Sequence, residues 1–327
     1  MQLRFLEARP VAEDAVPTAP AGNSVCSAPI ANRRVATPVR HYRIGPVSVR
    51  LRCDVRDALH DFHRLYRRYE SAFPLPDALD VRVEARRSRR SLRAYYYILA
   101  DGEERFSVRS RNAVLPHIEW AVNCAVMDTL PRYYQIHAGV VARDGVGLIL
   151  PAQPQSGKST LVAGLLQRGW RYLSDEFALI DPSTLRLTAY PKAICIKRGS
   201  FHVVRRLGLT FAFDRDHNKG VKGRVRFIDP HSIRDDVVSG PVPVRLVIFP
   251  KYAGPGSPVL EPVSRARAVF ELSRFSFTLT RFRSLAVDLL ADVVENASCF
   301  RLQAADLGQS CDLIERCFQD AAGGANG

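Results

Sequence analysis

The stretch Pro151-Ala152-Gln153-Pro154-Gln155-Ser156-Gly157-Lys158-Ser159-Thr160 constrains this chain more than any other, because of what flanks it. Before it, Val146-Gly147-Leu148-Ile149-Leu150 is an apolar run of strand length. After it, Leu161, Leu165 and Leu166 recur at helical spacing, and Gly169 marks a C-cap. A strand that passes through a glycine turn into a helix leaves backbone N–H groups at the helix N-terminus, where the macrodipole favours an anion. An adjacent lysine amine and a hydroxyl that can ligate Mg2+ complete a phosphate-binding loop. Gly157, Lys158 and Ser159 supply these parts in order, with Thr160 beside them. Ala152 stands where the usual G-x-x-x-x-G-K-[ST] string has its first glycine, so the flanking pattern carries the reading.

That pattern extends on both sides. Asp144-Gly145 is a hairpin-turn dipeptide between Gly139-Val140-Val141-Ala142 and the apolar run, which predicts two antiparallel strands. Beyond the helix, Trp170-Arg171-Tyr172-Leu173 reads as a further strand ending at Ser174-Asp175-Glu176. A crossover helix that returns to a parallel strand brings that strand's end to the sheet edge holding the loop. Asp175 and Glu176 are thus expected to face the phosphates.

His137, the Gly157-Lys158-Ser159 core and the Asp175-Glu176 pair resemble, in order and spacing, the catalytic domain of HPr kinase/phosphorylase and, more closely, its HPr-kinase-related relatives. Lys158 lies 21 residues after His137 and 17 before Asp175, and the resemblance covers about residues 130–280. It implies an α/β fold: a P-loop kinase domain of the HPr kinase C-terminal, phosphoenolpyruvate carboxykinase-like type, preceded by a small α/β N-terminal module. It also implies ATP-dependent phosphoryl transfer to a serine hydroxyl of a protein or peptide.

Such transfer asks for positioning and charge neutralisation. Lys158 is expected on the β/γ-phosphates and Ser159 on Mg2+, with Ala152, Gln155, Ser156, Gly157 and Thr160 completing the ATP cradle. The resemblance assigns Asp175 as the base, sets His137 beside the transferring phosphate, and puts Glu176 on the metal where relatives commonly carry Asp. Lys222, in the polar Lys222-Gly223-Arg224 stretch, is a candidate cation for the phosphate tail. Arg265, with Arg267 close behind, matches the place where the family supplies an arginine. The segment Cys195-Ile196-Lys197-Arg198-Gly199-Ser200 lacks the family's metal-linked Glu, which argues against the phosphorylase half of the activity. The alternatives are a small-molecule kinase and a nucleotide-binding regulatory or scaffold protein with little or no turnover.

At 327 residues the chain holds two domains with proper cores. It has no apolar run of about 18 residues and no secretory h-region, so neither membrane insertion nor export is expected, and ATP chemistry fits the cytoplasm. Its 7 cysteines show no C-x-x-C pair or zinc spacing and are read as reduced thiols. A net charge of +14 favours anionic partners. The densest basic cluster, Arg82, Arg86, Arg87, Arg89, Arg90 and Arg93 before Tyr95-Tyr96-Tyr97, is read first as a solvated hairpin, and nucleic acid is not expected as a partner. A homo-oligomer is suggested only by the family's hexamer. The chain divides into a flexible leader, 1–40; a small α/β module, 41–114, in which Asp54 is expected to cap a helix; the nucleotide domain, 115–320; and a disordered tail, 321–327.

Overall fold

The computed structural model describes residues 38–87 and 93–323. Positions 1–37 of the expected leader, Cys26, Arg89, Arg90 and positions 324–327 of the tail lie outside the described residues. The chain is mixed α/β and splits into two compact units: Met1–Leu130 with Ala212–Arg226, and Pro131–Phe211 with Phe227–Gly327.

In the first unit, β1 (Val39–Ile44), β2 (Val47–Cys53), β3 (Glu70–Ser71), β4 (Leu79–Arg87), β5 (Ala94–Ala100) and β6 (Glu103–Val108) form one sheet in the order β3-β1-β2-β4-β5-β6. The alternation in Val47-Ser48-Val49-Arg50-Leu51-Arg52-Cys53 buries Val47, Val49, Leu51 and Cys53 on one face and turns Arg50 and Arg52 to the other. Helices α1 (Arg56–Tyr66) and α2 (Val114–Thr129) pack on the buried face. α1 has Val55 at its N-cap and no side-chain cap. Asp54 instead accepts the Ala85 N–H at 3.3 Å, tying the end of β2 to β4.

α2 packs against β4, β5 and β6 and belongs to this unit, although residue 115 is the expected start of the nucleotide domain. Its apolar residues cover nearly the whole circumference, so periodicity alone could not say which neighbours it serves. Val39 and Arg40 likewise pair with Arg52 and Leu51 in β1, although the leader was expected to run to residue 40.

The second unit opens with β7 (Tyr134–Arg143) and β8 (Val146–Pro151), antiparallel with Arg143 opposite Val146. Asp144 and Gly145 join them at φ 49° and 79°, the left-handed pair of a type I′ turn. α3 (Lys158–Gln167) follows the loop and ends in a Schellman motif: Gly169, at φ 91°, donates to the Leu166 carbonyl while Trp170 donates to Leu165. β9 (Arg171–Ser174) and β10 (Phe177–Ile180) both pair antiparallel with β7 and lie end to end along it. β9 is therefore parallel to β8, with β7 between them. β11 (Arg186–Thr188), β12 (Ile194–Lys197) and α4 (Phe201–Arg206) come next.

The chain then leaves for the first unit, where β13 (His217–Asn218) pairs with the start of β14 (Arg224–Ile228). On its return it forms β15 (Val242–Tyr252), β16 (Val259–Pro262), α5 (Arg265–Phe275), α6 (Leu279–Phe282), α7 (Leu285–Glu295), β17 (Ser298–Ala304) and α8 (Leu307–Gly323). The large sheet runs β11-β10-β7-β8-β15-β17-β16, with β9 on β7 and a second pairing of β11 to β15. Leu148, Leu150, Leu246 and Ile248 face α3 and α8 in one core, while Ile149, Val247 and Phe249 face α5 and α7 in another. Covered on both faces, these strands read as continuous apolar runs.

Candidate functional site

At the carboxyl end of β8 the loop turns through Gln155 at φ 74° and Gly157 at φ 87°, and Gly157 occupies the N-cap of α3. The first intrahelical bond runs from Leu161 N–H to the Gly157 carbonyl, so the amides of the preceding turn have no helical acceptor. Ala152 is buried, Gln155 is exposed, and Ser159 and Thr160 are half-buried in the first turn. The Ser156 hydroxyl is buried with no hydrogen-bond partner among the described residues.

Lys158 is 6% exposed and Asp175 3%. The Lys158 ammonium donates to the Asp175 carbonyl and, at 3.1 Å, to Asp175 Oδ1. The Ser159 hydroxyl donates to the same carboxylate. Burial pushes the Asp175 carboxyl above the usual carboxylate range, outweighing the Lys158 charge that pulls it down; Glu176 beside it pushes the same way as burial. The structure thus brings Lys158, Ser159 and Asp175 together.

Ser174 sets the acidic pair. Its hydroxyl accepts the N–H groups of Glu176 and Phe177, turning the chain at the junction of β9 and β10. The Ala138 N–H donates to the Glu176 carbonyl at 3.3 Å, fastening the turn to β7. His137, half-buried and paired with Phe177, shares a strand face with Gly139 and Val141, the face that α3 covers. Its ring meets Phe277 edge-on at 5.8 Å.

Two residues that position this site carried no sequence signal. A Cβ on Gly139 would lie 2.6 Å from Val162 Cγ2 and 3.2 Å from Lys158 Cγ, so the bare glycine lets α3 seat the Lys158 stem against β7. Tyr252 at the end of β15 donates its N–H to the Ser156 carbonyl at 3.1 Å and so braces the loop.

Two expected cations have other neighbours among the described contacts. Lys222 belongs to the first unit, where its ammonium sits 4.2 Å from the centre of the Trp120 ring, because residues 212–226 return to that unit. Arg265 begins α5 on the other face of the large sheet, where its charge favours the Cys299 thiolate. Arg267 pairs with Glu271 at 2.6 Å. Neither arginine is bonded to Lys158 or Asp175 among the described contacts.

The arrangement suits a polyphosphate. An ammonium has three donors, of which two are engaged by Asp175, and the same loop carries helix amides without a helical acceptor and an unpartnered hydroxyl. Among the described residues no three His, Cys, Asp or Glu side chains gather as a metal cage, and no helix is long and apolar enough to cross a membrane. Mg2+ on a nucleotide takes one or two oxygen ligands from the protein with phosphate and water, and Ser159 and Glu176 carry oxygens of that kind.

No protein-family model matches the chain, and no curated protein matches it. Among solved structures it is similar to the Hpr(Ser) kinase/phosphatase from Coxiella burnetii at 13% identity, with a TM-score of 0.28, over 59% of this chain and 96% of that one.

Proposed function

We propose that the second unit binds Mg-ATP and transfers its terminal phosphoryl group to a hydroxyl, the acceptor being a serine on a protein or peptide. One observation carries this reading: a cluster of buried Lys158 and Asp175 with half-buried Ser159, formed where a glycine loop enters a helix at the carboxyl end of β8. Lys158 exchanges one bond to Asp175 for the β/γ-phosphates, and the amides of the first turn of α3 hold the phosphate tail. Asp175, once released, accepts the proton of the attacking hydroxyl; a carboxyl raised above the usual range is a better base than an exposed aspartate. His137 stands beside the transferring group, and Ser159 with Glu176 holds the metal. A Mg2+ held there would supply neutralisation of the charge developing on the phosphates.

The grip of Lys158 and Ser159 on Asp175 also favours a second reading, a nucleotide-binding regulator in which the acid never acts as a base. Incubation with labelled ATP, Mg2+ and a cell lysate, followed by mass spectrometry, tests the first reading and is expected to find a labelled serine. Asp175→Asn is expected to cut transfer by at least about a hundredfold while nucleotide binding persists. Full transfer by this variant would remove the base role; binding without any transfer in the native protein would leave the regulator.

A further inference from the structure

The loop has an aromatic neighbour that the phosphate chemistry does not use. In β15, Leu246 and Ile248 point to the core under α3, and Leu302 and Ala304, the register partners of Pro250 and Tyr252, belong to the same core. Tyr252 therefore continues the α3 face of the sheet. Its backbone is bonded to Ser156, and its Cβ would lie 3.7 Å from a Cβ at Gly157, so it is fixed beside the loop rather than carried on a free tip. Yet Tyr252 is 53% exposed, and the one hydrogen bond described for it is that backbone bond to Ser156. A large aromatic residue held rigidly at the carboxyl ends of parallel strands, with its ring in solvent, is where open α/β sheets present ligand contacts.

We infer that Tyr252 is the platform on which the base of a bound nucleotide stacks. This rests on the phosphate-loop reading above and adds to it a source of affinity for nucleosides over bare polyphosphate. Every base offers a π-face, so the platform serves adenine and guanine alike; discrimination between them would need hydrogen bonds that a ring does not supply.

Titration calorimetry of the full chain with Mg-ATP, Mg-GTP and Mg-tripolyphosphate tests it. Native protein is expected to bind both nucleotides more tightly than tripolyphosphate. Tyr252→Ala is expected to weaken both nucleotides by about five- to a hundredfold and to leave tripolyphosphate within about twofold. Tyr252→Phe, which keeps the ring, is expected to bind all three as the native protein does. Unchanged nucleotide affinity in Tyr252→Ala overturns the inference while tripolyphosphate binding upholds the loop. Equal losses for all three ligands also overturn it, assigning Tyr252 to loop bracing alone. If none of the three binds native protein, the loop reading fails and the inference with it.

Discussion

The two sheets handle charge in opposite ways. In the first unit one face of the sheet is open, and cross-strand rows of charge lie on it: Arg50 beside Asp80, Arg52 opposite Arg82, Glu84 opposite Tyr97. Arg86 pairs with Glu84 at 2.6 Å and lies 4.8 Å over the Tyr97 ring. Water is always at hand there, so partners can be exchanged at little cost. In the second unit both faces are covered, and Lys158 and Asp175 are buried with each other as partners. An ion pair out of water is costly to break, because removing one member leaves the other uncompensated. Charge is thus replaceable on the open sheet and committed in the closed one.

The largest effect that tests this contrast is expected at Lys158. Lys158→Met should lower unfolding free energy by about 3–5 kcal/mol in urea titrations, because it strands a buried carboxylate. Asp175→Asn, which strands the Lys158 ammonium but keeps an acceptor for it, should also destabilise, by less than Lys158→Met. A loss below about 1 kcal/mol for Lys158→Met would show that the pair is solvated and erase the distinction.

Acid and base should find different weak points. Burial pushes His117 and His217 down to about 4 from an ordinary 6.5, so the unfolded chain takes up these protons first as pH falls. Their stabilisation is complete above about 6.5 and is lost between about 6.5 and about 4, on the order of 2–3 kcal/mol for buried His117. Asp175 works in the reverse sense. Its folded carboxyl is raised, so its contribution is greatest near and below the ordinary carboxylate range and declines as pH rises through the folded value. Urea midpoints measured across pH should therefore show a shallower acid limb in His117→Gln and a shallower upper limb in Asp175→Asn. Parallel curves for native protein and both variants would refute the assignment.

Two glycines sharpen the comparison at smaller scale. At Gly139 a methyl group collides with Val162, and Gly139→Ala should cost about 1–3 kcal/mol through overpacking. At Gly145 nothing lies within 4 Å, so Gly145→Ala should cost only about 1 kcal/mol, from its positive φ. Equal costs would mean that α3 is not seated tightly on β7. The smallest effect is expected on the open face. Arg52→Ala should change stability by less than about 0.5 kcal/mol, in the stabilising direction if at all, since Arg52 faces Arg82 directly. A loss above about 1 kcal/mol would indicate that this face is covered.

Local chemistry made much of the second unit legible. Asp144-Gly145 adopts the left-handed pair that its hairpin requires, Gly169 closes its helix as only a residue at positive φ does easily, and the apolar runs became doubly covered strands. The strand, turn and helix around Lys158 were legible because they follow one another without interruption. What lay beyond reach depends on pairing over long sequence separations. Nothing near residue 212 announces that the next residues return to the first unit, and Lys222 reads as a loop cation until Trp120, about a hundred positions earlier in the chain, is seen beneath it. Asp54 has the sequence signature of a helix cap but serves β4, because a neighbouring strand end offered a free N–H. Tyr252 carried no motif at all; only the bond from its amide to the loop reveals it.

The excursion of Ala212–Arg226 has a consequence for inheritance. This short insert supplies the first body with buried His217 and Lys219 and with Arg215, which clasps buried Asp61. Neither body is one uninterrupted length of chain, so no single crossover in the gene can transplant either of them whole. Any exchange of the amino-terminal half among relatives must carry a compatible patch embedded in the carboxyl-terminal half, and the two are bound to diversify as a matched set.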